Sequence, residues 1–318
     1  MKQRAFEAAH AQEWNALEAF LEGKKPAFDP EELPQRYRRL CQSLALAADR
    51  QYSPELVDRL NRLALQGHHV LYQNRRRQSG RVLGFVAADF PRLVRAEWRL
   101  VAVAALLFFG PLAGLIAVLQ VFPEFVHYLL TPEQIARFHG MYDPANRRLG
   151  MLEADHSVLM FGFYIWNNVR IGFQTFAGGL LAGVGTAWFL GANGIIIGAV
   201  AGYLTQVGYS ETFWSFVAGH SSLELLAIVL AGAAGLRLGL AVISPGNMSR
   251  RSALVAAAKP AVRMMYGAAL MFGAAAFVEA FWSPLTEVPF NIKIIVGLSG
   301  WALLLFYFAF AGRSRAAR

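Results

Sequence analysis

The sequence predicts an all-α fold: a polytopic α-helical membrane bundle of about six spans, with an N-terminal cytoplasmic helical domain. Three observations predict it. Apolar runs recur from Trp98 to the C-terminus, each close to the ~20 residues that cross a bilayer. Of the 318 residues, 56% are hydrophobic and only 16% charged, and the charge gathers in the first hundred positions. Lys and Arg also collect on alternate connections, as cytoplasmic loops do.

The chain divides into residues 1–80, a cytoplasmic helical domain; 81–97, an interfacial amphipathic helix; and 98–318, a membrane domain with an external segment at 122–157. In the first part, residues 3–22 place Phe6, Trp14, Leu17 and Leu21 near one helical face. Asp29-Pro30-Glu31 reads as the start of a second helix, which carries Leu33, Tyr37, Leu40, Leu44 and Ala48 at three- and four-residue spacing. Ser53-Pro54-Glu55 repeats that signal for a third helix, through about Tyr72. Residues 82–96 mix apolar and basic positions, with Pro91 bending the approach to the membrane.

The expected spans are 98–121, 169–190, 195–207, 221–243, 261–282 and 292–311, and Asn193-Gly194 reads as a tight turn between the second and third. Residues 195–207 are short enough to span or to re-enter. Glycines at four-residue spacing (Gly179/Gly183, Gly194/Gly198/Gly202, Gly235/Gly239) permit close helix approach, so the second, third and fourth spans are expected to form the tight core.

The net charge of +9 invites a nucleic-acid reading, but the placement of the charges argues against one. Arg75, Arg76, Arg77 and Arg81 precede the first span, Arg250, Arg251, Lys259 and Arg263 fill a later loop, and Arg313, Arg315 and Arg318 end the chain. The opposite connections carry Glu124, Glu133, Asp143, Glu153, Asp155, Glu211 and Glu287. This asymmetry places both termini in the cytoplasm, with an even number of crossings. Residues 1–20 are too charged for a signal peptide, and the single Cys41 excludes an intramolecular disulfide.

Two carboxylates lie in apolar runs, Glu224 and Glu279, where a charge costs roughly 2.5–3.5 kcal/mol on insertion scales. His220 and Glu224 share one helix face. With Asn167, Asn168 and Arg170 they fall in the outer half of the expected topology. Asn193 and Arg237 fall towards the inner side, and Arg237 is too far along its helix to meet Glu224. Three readings fit the outer cluster. In the first, Arg170 pairs with a carboxylate and the network fixes packing. In the second, the cluster binds an ion, a proton or a lipid headgroup. In the third, His220, Glu224 and Glu279 hold a catalytic metal. One His with two carboxylates is a thin ligand set, so no metal, cofactor or catalytic residue is expected. No phosphate-binding loop or nucleophile elbow points to an enzyme.

The stretch FYIWNNVRIGFQTFAGGLLAGVGTAWFLGANGIIIGAVAGYL, followed by HSSLELLAIVLAGAAGLRLG, resembles the stage II sporulation protein M family of integral membrane proteins. The shared features are an Asn pair entering a Gly-rich span, Asn-Gly, a His shortly before Glu-Leu, and a Gly-Leu-x-Leu-Gly ending. Val278-Glu279-Ala280-Phe281 with a following Pro also fits, and the resemblance covers about residues 90–310. Where the resemblance leads one to expect Pro-His-Gly, this chain has Gly219-His220-Ser221. In spore formers the family implies work beside septal peptidoglycan-degrading proteins. Here it implies an inner-membrane scaffold or accessory protein of an envelope assembly, with the lipid bilayer and envelope proteins as partners and a homo-oligomer allowed. The alternative is a small transporter or lipid-handling protein using Glu224 and Glu279.

Overall fold

The computed structural model describes residues 2–23, 28–29, 32–146, 149–150 and 157–313, with backbone only at 69 and 72–80. Glu153, Asp155, Arg315, Arg318 and the side chains of Arg75, Arg76 and Arg77 therefore lie outside the described residues. No strand occurs among the described residues beyond an isolated bridge at Leu285. The chain forms two units, Met1–Phe85 and Val86–Arg318.

In the first unit, α1 (Gln3–Leu21), α2 (Leu33–Asp49) and α3 (Pro54–Gly84) enclose a core of Phe6, Trp14, Leu17, Leu40 and Leu60. Burying each such side chain contributes roughly 1.5–3 kcal/mol. The Asp29-Pro30 start signal misplaces α2: the helix begins at Leu33, and Pro34 takes the first-turn slot where a missing N–H costs nothing. Ser53 precedes α3 as expected, but its hydroxyl accepts from Gln3 Nε2 at 3.0 Å while its N–H donates to Gln3 Oε1 at 3.0 Å. This reciprocal pair ties the start of α1 to the start of α3.

The second unit opens with a π-helical turn, Phe85–Asp89, and α4 (Phe90–Ala96), with Pro91 in the first turn of α4. Then come α5 (Trp98–Val121), a 3₁₀ turn (Pro123–Tyr128), α6 (Pro132–Tyr142), α7 (Ser157–Ala177) and α8 (Val184–Gln206). The last three helices are α9 (Ser210–Ile243), α10 (Arg250–Phe281) and α11 (Phe290–Phe310). Five of these, α5 and α8–α11, are long and apolar enough to cross a membrane. Helix α7 packs against α8, α9 and α10 and carries Asn167, Asn168 and Arg170.

The helix boundaries correct the expected second and third spans. Residues 184–206 form one continuous helix, so 195–207 is neither a separate span nor re-entrant, and Asn193-Gly194 lies mid-helix. The break falls instead at Gly178–Gly183, where a 3₁₀ turn leads to Gly183 at φ +78°, a left-handed conformation that favours glycine. Asn193 remains helical because its Nδ2 donates to the Phe189 carbonyl one turn back, at 2.7 Å.

The glycines explain why turn chemistry misled. A Cβ on Gly194 would sit 2.3 Å from the Phe108 carbonyl oxygen, and one on Gly198 2.6 Å from that of Leu112. This stripe of α8 thus seats on α5, which the glycine spacing alone does not single out. Gly179 and Gly239 make equally close approaches, to Gly235 and Gly183. Without a hydrophobic drive between helices in lipid, such backbone contact is a main source of association. The core is centred on α9, 67% of whose span is buried, against 11% for α5 and α11.

One end of the unit is closed by arginines. Arg95 donates to the carbonyls of Phe308 and Ala311 at 2.6 and 2.7 Å, and Arg92 to Gly312 at 2.6 Å. These satisfy carbonyls that the last turn of α11 leaves unpaired. The start of α5 and the end of α11 therefore share one end of the bundle. At the other end, α10 stops early. Trp282 lies against Gly219 and Ser283 against His220, about 13 Å into α9 at 1.5 Å per residue.

Candidate functional site

The early end of α10 creates the site. Ser283, just past the helix, is fully buried, and its hydroxyl lies 3.0 Å from His220 Nδ1. Its carbonyl accepts from Lys293 Nζ at 2.7 Å. Lys293 itself is fully buried at the start of α11 and sits 5.7 Å from the Trp282 ring centroid. With Nδ1 engaged, the other imidazole nitrogen of His220 faces Glu224, 3.7 Å away across one helical turn. Glu279 reaches in from the last turn of α10, and ligand atoms of His220, Glu224 and Glu279 all lie within 4.8 Å of one another. Asn168, 2% exposed, comes from the middle of α7 and lies beside Glu279.

Four of the expected residues therefore converge: His220, Glu224, Glu279 and Asn168. Asn167 stands beside them and donates to Asn168 Oδ1 at 3.3 Å. Asn167, Asn168 and Arg170 sit mid-helix rather than at a span end, because α7 starts twelve residues before the expected Val169. Arg170 does not pair with a carboxylate. It is exposed, donates to Asn167 at 3.3 Å and lies over the Trp166 ring at 4.8 Å. Arg237, towards the other end, pairs with Glu97 just before α5. Asn193, as described, bonds its own helix.

Among the described residues the carboxylates thus meet no arginine, and Lys293 at this end is bonded to a backbone carbonyl. Two buried polar atoms of the cluster, Asn168 Nδ2 and Glu279 Oε2, have no hydrogen-bond partner among the described residues. Leaving such groups unmade normally costs about 1–3 kcal/mol each, so a buried orphan calls for an explanation.

A cap covers the cluster. Tyr142, at the end of α6, is buried, and its carbonyl accepts from Thr212 Oγ1 at 2.7 Å. Burial, reinforced by the facing carboxylate of Glu279, holds the Tyr142 phenol above its ordinary range, so it stays a neutral donor. Leu149 N–H donates to the Pro284 carbonyl at 3.2 Å, and Gly150 N–H to Met141 at 2.9 Å. Gly150 presses on the Phe216 ring at φ +74°, and its carbonyl meets the Tyr164 hydroxyl at 3.5 Å. Lys293 had a readable signal that the sequence analysis passed over: it is the only charged residue of α11. Ser283, Tyr142 and Tyr164 had none, since each is brought in by distant contacts.

A model of the stage II sporulation protein M family matches residues 103–284, more than half of the chain, and includes every residue of the cluster. A model of a domain of unknown function matches residues 4–73. No curated protein and no solved structure matches the chain. The membrane bundle, with its Asn pair, its His220–Glu224 face and its Glu279 turn, belongs to a member of the stage II sporulation protein M family.

Proposed function

We propose that this membrane protein is an inner-membrane scaffold or accessory subunit of a bacterial envelope assembly, possessing cytoplasmic termini and presenting its capped end outside. The observation that carries the reading is the cap itself. Residues 123–146 and 149–150 are held to the bundle by the Leu149–Pro284, Thr212–Tyr142 and His139–Tyr203 hydrogen bonds, the last at 3.0 Å. They leave Glu124, Tyr128, Glu133 and Arg137 exposed. A hydrogen-bonded platform that exposes charged residues beside Phe125, Tyr128 and Leu129 suits partner docking. Arg250 and Arg251 in the first turn of α10 and Arg313 after α11 support the orientation, as does the shared end of α5 and α11.

The family's name ties it to sporulation, and the resemblance supports envelope proteins as the partner class, in particular those that work on peptidoglycan. Photocrosslinkers at Tyr128, Glu133 and Arg137 should give adducts with peptidoglycan-modifying envelope proteins, while one at Trp188, exposed on α8, should give only lipid adducts. Lipid adducts at all four positions would overturn the reading. Adducts with a second copy alone would replace it with a homo-oligomer.

A second reading, transport or lipid handling, is favoured by the two carboxylates brought together inside the bundle. Under it, Glu224→Gln in proteoliposomes abolishes flux at unchanged melting temperature. Under the scaffold reading the same change alters melting but leaves the partner complex recoverable.

A further inference from the structure

The cluster of His220, Glu224 and Glu279 has a property that scaffolding does not require. Its two carboxylates and one imidazole come from two helices and point at one spot. Among the described residues no lysine or arginine pairs with Glu224 or Glu279: Arg170 donates to Asn167, and Lys293 to the Ser283 carbonyl. Bringing carboxylates together inside a bundle without a cation is costly, and natural structures resolve it with a proton or a metal. The imidazole is placed to serve the second of these outcomes. Ser283 fixes the ring through Nδ1; with that nitrogen donating, Nε2 keeps its lone pair towards Glu224. Orientation of a histidine by a hydrogen bond on its far nitrogen is the usual support of a metal ligand.

The spacing agrees. Ligand atoms about 2.0–2.2 Å from a tetrahedral ion lie about 3.4 Å apart. His220 and Glu224 stand at 3.7 Å, and the whole triad falls within 4.8 Å, so a modest side-chain rotation of Glu279 closes the set. The orphaned Glu279 Oε2 has a lone pair free for such an ion, and the buried Asn168 stands beside the same carboxylate with a donor, Nδ2, that no described residue uses. One nitrogen and two hard oxygens suit a borderline divalent ion such as zinc or manganese. The set has no thiolate to favour copper(I) and too few oxygens for calcium.

We propose that His220 Nε2, Glu224 and Glu279 bind one divalent transition-metal ion, with Asn168 and Ser283 as positioning residues and a fourth coordination position facing the cap. The expectation of no metal rested on a thin ligand set; the structure adds the supports around that set.

The test uses the full chain, purified in detergent without a metal-affinity tag. The protein is loaded with zinc, manganese or cobalt(II), stripped of excess by gel filtration and assayed by elemental mass spectrometry. Close to one equivalent per chain is expected, falling at least tenfold in His220→Ala, Glu224→Gln and Glu279→Gln but not in His10→Ala. The cobalt form of the unaltered protein should show visible d–d bands of a low-coordinate nitrogen–oxygen site, which serves even if a variant fails to fold. Less than a tenth of an equivalent after loading with every ion overturns the proposal, as does metal retained by folded His220→Ala and Glu224→Gln proteins. Neither result bears on the crosslinks expected of the scaffold.

Discussion

Lys293 Nζ donates to the Ser283 carbonyl at 2.7 Å, with both residues fully buried, so a single ammonium anchors the chain where α10 ends inside the bundle. Lys293→Met should leave that carbonyl without a partner and cost about 1–3 kcal/mol. In detergent this appears as a melting temperature lower by several degrees. An unchanged melting curve would show that the bond contributes nothing.

The glycine stripe of α8 predicts a contrast within one helix. Gly194→Ala should destabilise by about 1–3 kcal/mol, since its Cβ would overlap the Phe108 carbonyl oxygen. Gly191→Ala, with nothing within 4 Å, should be neutral or slightly stabilising. Thermal melting of the two proteins side by side decides it, and equal effects would refute the seating of α5 on α8.

The Arg237–Glu97 pair is partly exposed, 32% and 13% by side chain, so its loss should cost less than that of a fully buried pair. Arg237→Leu should destabilise by about 1–3 kcal/mol, chiefly by leaving Glu97 unpaired. Adding Glu97→Gln should recover much of this in a double-mutant cycle. Simple additivity of the two changes would mean that the residues do not act on each other.

Gly150 holds φ +74° against the Phe216 ring, and a Cβ there would lie 2.3 Å from a ring carbon. Gly150→Ala should therefore loosen the cap while sparing the bundle. Limited proteolysis should cut faster within residues 123–146, with little change in the melting of α8–α11. Equal protection in both proteins would remove the cap's dependence on this contact.

The convergence of His220, Glu224 and Glu279 was readable, because an ionisable residue in an apolar run has few places to go and a four-residue spacing sets a shared face. The α7–α8 boundary was not. Asn-Gly marks a turn where water competes for the backbone, but inside a bundle the same glycine allows close helix contact, and the asparagine bonds its own helix. The partner of Arg170 was misjudged because charge alone was weighed. The neighbouring Trp166 gives the guanidinium an exposed resting place at the surface. Ser283 carries no pattern at all, since its role comes from where α10 stops.

The Leu149–Pro284 bond also sets an order of assembly. The two partners are separated by about 135 residues, roughly 7–27 s of synthesis at 5–20 residues per second. Four helices must be made and inserted before the latch exists. Through that interval the segment from Pro123 to Gly150 cannot take its final seat, and Tyr142 has no carboxylate of Glu279 to face. Closure of this end is therefore a late step of maturation, and a chain stalled before Pro284 would present an unlatched loop to whatever quality control waits on that side of the membrane.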